Sequence, residues 1–128
     1  MEAWLLLLVL RLAIAALPLK AFFGLARFWG AVGKGRCRPG ADAAPSRSAW
    51  AVEAAARRLP FRATCLVRAC AGAAMMKRRG HEPILRIGAR KTSQGALEAH
   101  AWVEVFEQPV IGELADLPSY RQFPAFVL

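Results

Sequence analysis

The chain changes its hydrophobic period once, at Gly80. Before it, apolar residues recur at helical spacing. After it, the segments PILRIGAR, EAHAWVEVFE and QPVIGEL alternate with period two and are rich in Val, Ile and aromatics. Lys91 to Gly95 and a short turn around Glu107 and Gln108 separate them, so they read as three antiparallel strands. Helices first and strands afterwards define an α+β domain. With 128 residues there is room for a single core and no separate cofactor-binding domain.

Residues 3–19, AWLLLLVLRLAIAALPL, are the most apolar part. A secretory signal carries positive charge ahead of its apolar run, whereas Glu2 precedes this one. A bilayer span would hold Arg11 near its centre at a cost of about 2.5–3.5 kcal/mol. The stretch therefore reads as a pair of helices broken near Pro18 and packed on the domain or on a partner. Arg11, Lys20 and Arg27 are expected on the wet side. Phe22, Phe23, Phe28 and Trp29 beside these cations leave a peripheral membrane contact open.

Residues 33–46, GKGRCRPGADAAPS, read as a connecting loop. The organisation expected is a helical segment over 1–32, this loop, and the site-bearing core over 47–128. GKGR lacks the spacing of a phosphate loop. From Ser46 or Ser48, SAWAVEAAARRLP is a serine-capped helix ending at Leu59-Pro60, with Trp50 expected in the core.

Three cysteines without a CxxC spacing suggest neither a disulfide framework nor a zinc site, and they fit a reducing, cytoplasmic compartment. No metal or cofactor is implied. Eighteen Lys and Arg against nine Asp and Glu give a net charge of +9, which suits an acidic partner. The basic residues are not interleaved with aromatics, and no nucleic-acid-binding motif is present, so nucleic acid is not the expected partner.

Chemistry concentrates in FRATCLVRACAGAAMMKRRG. Thr64 is the expected helix cap and Gly80 the stop, with Lys77, Arg78 and Arg79 in the last turn where cations meet the dipole favourably. Cys65 then falls at the first helical position, where unpaired N–H groups and the dipole favour a thiolate and face an oxyanion. Cys70, inside the helix, is a buried filler, and Cys37 is an incidental loop thiol. In the second strand His100, Trp102, Glu104 and Phe106 share one face. An imidazole there can take the proton of Cys65 and return it to a leaving amine. His81 is expected to be a solvated turn residue. Glu104, Glu113 and Asp116 are the carboxylates that could orient His100, and Glu113, on the following strand, is preferred.

RLPFRATCLVRACAGAAMMKRRGHEPILRIGARK followed by LEAHAWVEVFEQPVIG is similar to the transglutaminase-like leader peptidases of lasso-peptide biosynthesis, over about residues 47–114. The resemblance implies a papain- or transglutaminase-like core with Cys65 as nucleophile and His100 as base. It also implies a precursor peptide as substrate, a separate leader-recognition protein and an ATP-using cyclase. In that family an Asp commonly follows the His by about twelve residues; here Gly112 stands at that position, so Glu113 beside it, a backbone carbonyl or a water is left to orient His100. Two other readings remain open on the residues alone: a transglutaminase-like amidase, and a noncatalytic peptide-binding or membrane-associated module.

Overall fold

A computed structural model describes residues 2–31, 45–60, 64–112, 118, 120–122 and 126–127. Four helices precede the sheet: α1 (Glu2–Ala16), α2 (Leu19–Ala31), α3 (Pro45–Arg57) and α4 (Cys65–Arg78). The strands are β1 (Ile84–Lys91), β2 (Leu97–Val105), β3 (Gln108–Ile111), β4 (Arg121–Gln122) and β5 (Phe126–Val127). All pairings are antiparallel, in the order β3-β2-β1-β4, with β5 also on β1. The two-residue strands β4 and β5 are additions to the sequence reading, since so short a segment carries no readable period.

The helices α1, α2 and α3 all pack on α4, which in turn lies on the sheet. One hydrophobic core runs through both layers: Leu6, Leu7 and Leu10 of α1, Phe22 of α2, Val52 of α3, Val67 and Met76 of α4, and Leu85 and Val103 of the sheet are fully buried. The first two helices are thus part of the same core as the sheet. The break falls where Pro18 lacks an N–H to continue α1, and the Pro18 carbonyl accepts from Ala21 and Phe22 to start α2. Lys20 and Arg27 are exposed as expected, but Arg11 is half-buried and its Nε is enclosed. Glu2 fastens the start of α1 to the end of α4 by accepting from both Arg78 and Arg79.

Three local expectations are corrected. Helix α3 begins at Pro45, whose fixed φ suits a first helical position, so Ser48 lies inside the helix and is buried. Because α3 turns Ser48, Ala49 and Val52 inward, Trp50, about 200° from Val52, faces outward and is 68% exposed. His81 is half-buried with its Nε2 enclosed, because its backbone closes the end of α4: the His81 N–H donates to the Met76 carbonyl and that of Gly80 to Lys77, each at 3.1 Å.

Strands β1 and β2 pair without slip from Ile84↔Glu104 to Lys91↔Leu97, which places His100 opposite Gly88. The turn to β3 lies one residue earlier than expected. Val105 pairs with Gln108, leaving Phe106 (φ 52°) and Glu107 (φ 63°) as a two-residue turn with both residues left-handed. Phe106 is therefore not on the His100 face; it stands at the turn tip, 92% exposed.

Candidate active site

Helix α4 starts where the sequence places it. Thr64 is extended, and its side-chain oxygen accepts from the Val67 N–H at 3.3 Å, while its carbonyl accepts from Arg68 at 3.0 Å. Cys65 is the first helical residue and carries a half-buried free thiol. Helix geometry gives the N–H groups of Cys65 and Leu66 no intrahelical partner, so they stand beside the thiol at the positive end of the dipole. Cys70 is fully buried, and loss of water pushes its thiol up to about 12. The two cysteines of one helix are thus chemically unlike.

His100 is held through its ring. Its Nε2 lies 2.7 Å from the Gly112 carbonyl oxygen. A carbonyl only accepts, so Nε2 carries the proton, and the lone pair of a neutral ring falls on Nδ1. Trp102 stacks alongside, with centroids 6.1 Å apart and planes 16° off parallel. Tyr120 closes the other approach at 5.9 Å. Trp102 is itself fixed: its Nε1 donates to Glu104 at 3.0 Å, and Arg86 Nε donates to the other Glu104 oxygen at 3.2 Å. Glu104 therefore reaches His100 only through the indole ring. The guanidinium of Arg90 covers Tyr120, 4.7 Å from the ring centroid.

Cys65 and His100 line one cleft of about 340 Å³ together with Glu53, Arg68, Val110, Ile111 and Gly112. One wall is polar, where Arg68 donates to Glu53 at 3.1 Å; the other is the apolar edge of β3. Such a cleft can hold an extended chain with its carbonyl near the thiol, its amide side toward the imidazole and an apolar side chain against Val110. Among the described residues, no three His, Cys, Asp or Glu come together as a metal site.

Gly112 explains why a side-chain acceptor is missing from its position. Its φ is +75°, and a Cβ there would lie 2.8 Å from the Ala101 carbonyl oxygen and 3.2 Å from the Trp102 Cα. An Asp has no room, and the main chain presents a carbonyl to the ring instead. Glu113, the carboxylate preferred from sequence, lies outside the described residues, as do Asp116 and Cys37. Sequence reasoning missed Glu53 and Arg68. Arg68 follows Cys65 by three residues on the same side of α4 and could have been found by that spacing; Glu53, on another helix, gave no such signal.

A helix-borne thiol and a strand-borne imidazole lining one cleft of an α+β domain form an arrangement that can carry out thiol–imidazole chemistry. The family model described as the transglutaminase-like superfamily matches residues 5–124, and the chain belongs to that superfamily. The match includes α2 and α1 from its fourth residue onward, in keeping with their place in the common core. No curated protein and no solved structure gives a significant match to the chain.

Proposed function

We propose that this protein is a cysteine peptidase that cuts the leader from a ribosomally made lasso-peptide precursor, with Cys65 as nucleophile and His100 as base. The observation that carries the reading is the shared cleft, with Cys65 at a capped helix start and His100 tied at Nε2 to Gly112. Support for the substrate comes from the likeness of residues 58–91 and 97–112 to lasso leader peptidases.

His100 Nδ1 takes the proton of Cys65, and the thiolate attacks the carbonyl carbon of the last leader residue. The resulting oxyanion faces the N–H groups of Cys65 and Leu66 at the start of α4. As the C–N bond breaks, His100 returns the proton to the amine of the core peptide. His100 then deprotonates water, which attacks the thioester, and the thiol of Cys65 is restored as the leader leaves with a free carboxylate. A separate recognition protein presents the leader and a cyclase consumes the core peptide; the site of action is the cytoplasm, with no nucleic acid involved.

The test incubates the protein with a lasso precursor and its leader-recognition protein and weighs the products. Wild type is expected to release leader and core, and Cys65→Ala and His100→Ala to lose about 10³-fold or more in rate with the fold intact. An intact precursor refutes the peptidase reading. Deamidated or amine-linked precursor assigns amidase or crosslinking chemistry instead, and cleavage by Cys65→Ala moves the nucleophile elsewhere.

A further inference from the structure

Helix α1 is apolar on two opposite sides, with Arg11 on the border between them, yet only one side is covered. At 100° per residue, Ala3, Leu6, Leu7, Leu10 and Ala13 form the buried face. Opposite them Trp4, Leu5, Leu8 and Leu12 fall within about 100° of arc. Leu8 is half-buried; the others are exposed, Leu12 at 62%. With Ala15 and Ala16 this makes a convex apolar ridge about 18 Å long. Leu17 at the bend and Phe28 of α2, 64% exposed, extend the apolar surface onto the second helix. A second apolar side left uncovered on such a helix points to an occupant.

The charge around the ridge says which. Residues 3–31 contain Arg11, Lys20 and Arg27 and no Asp or Glu. Lys20 and Arg27 are exposed on α2, and Glu2, which begins α1, is engaged by Arg78 and Arg79. The whole chain carries +9. Protein interfaces deplete charge at their cores and need a partner surface of opposite potential. Here exposed apolar side chains and exposed cations share one helical hairpin whose residues 3–31 hold no carboxylate, the pattern of helices lying in the headgroup region of an anionic bilayer. No helix among the described residues is long and apolar enough to cross a membrane, so the contact is lateral. We infer that the α1–α2 hairpin docks this protein on an anionic lipid surface, with Trp4, Leu5, Leu12 and Phe28 entering the interface and Lys20 and Arg27 held at the headgroups.

Flotation of the full chain with vesicles tests this. Vesicles of equal parts phosphatidylglycerol and phosphatidylcholine should carry the protein, and pure phosphatidylcholine should carry far less. Lys20→Gln with Arg27→Gln should weaken binding about thirtyfold, since each cation near such a surface is worth about 1 kcal/mol. Leu5→Glu with Leu12→Glu should reduce it more than about tenfold. All four side chains are exposed, so an unchanged thermal midpoint is the expected control. Failure of wild type to bind anionic vesicles, or undiminished binding by Leu5→Glu/Leu12→Glu, overturns the proposal. So does a concentration-dependent dimer in sedimentation that the same variant dissociates, which would make a second copy the occupant.

Discussion

Gly72 sits two turns beyond Cys65, beneath Ile111 of β3, and both are buried. A Cβ added at Gly72 would overlap the Ile111 Cδ1 and lie 3.4 Å from its Cγ1 and 3.9 Å from Val52 Cγ2. Gly72→Ala therefore has two opposed effects. Helix propensity stabilises by about 1 kcal/mol, while forcing a methyl into a filled site costs about 1–3 kcal/mol. The net expectation is a loss of up to about 2 kcal/mol. Ile111→Val removes the overlapping methyl and alone costs about 0.5–1.5 kcal/mol. In the double variant the overlap is gone, the new methyl partly fills the space of the lost one, and the propensity gain remains. The double should be more stable than the sum of the singles by at least about 1 kcal/mol. Equilibrium urea unfolding of the four proteins measures this coupling, and a sum within about 0.3–0.5 kcal/mol of additivity refutes the packing described. Because Ile111 precedes Gly112, displacement of β3 in Gly72→Ala should also slow the proposed leader cleavage, and the double variant should recover it.

At Gly112 the left-handed φ and the nearby Ala101 carbonyl predict that Gly112→Ala costs about 2 kcal/mol or more, read as a lowered thermal midpoint; an unchanged midpoint contradicts the local geometry. Replacing Phe106 and Glu107 by Asn and Gly should do the reverse, stabilising by about 1–2 kcal/mol in urea unfolding, since both positions are left-handed and Phe106 is exposed. Cys70 makes a pH prediction. Its thiol stays protonated in the native protein to about 12 against an ordinary value of 9.0. Between those values the unfolded chain binds fewer protons than the folded one, so stability falls as pH rises, by up to about 1.4 kcal/mol per unit. Cys70→Ala should remove that slope in unfolding experiments between the two pH limits, and an identical pH dependence in wild type and variant would refute the assignment. The same burial predicts that iodoacetamide labels native Cys70 about 10³-fold more slowly than an ordinary thiol, as followed by peptide mass mapping.

Much of the site-bearing helix and hairpin was legible because local signals and tertiary packing agree there. Thr64 before Cys65 and Gly80 after three cations define both ends of α4, and the alternation around His100 fixes β2. Trp50 was not legible: a tryptophan on an alanine-rich helix suggests the core, while the rotation of α3 is decided by Val52 packing beneath it. Phe106 misled in the same way, since the alternation runs one residue past the last ladder pair. The Glu53–Arg68 pair and the Tyr120 ring beside His100 bring together elements that lie on different segments of the chain, and no period in the sequence relates them. The partner of His100 was legible only in kind. Gly112 in place of an Asp leaves a backbone carbonyl among the acceptors, but no pattern in the sequence says that it is the carbonyl of Gly112 itself.

That acceptor bears on how such a site would look to genetics. A carboxylate that orients a histidine is exposed to single-codon loss, and an alanine scan finds it. A main-chain carbonyl is present whatever residue occupies the position, so the scan would report two essential side chains at this site and miss the third participant. What mutation can reach is the shape of the turn of chain that carries it, where only glycine fits. Intolerance at Gly112 would then be read as a folding defect, although the same peptide unit holds the ring of the proposed base.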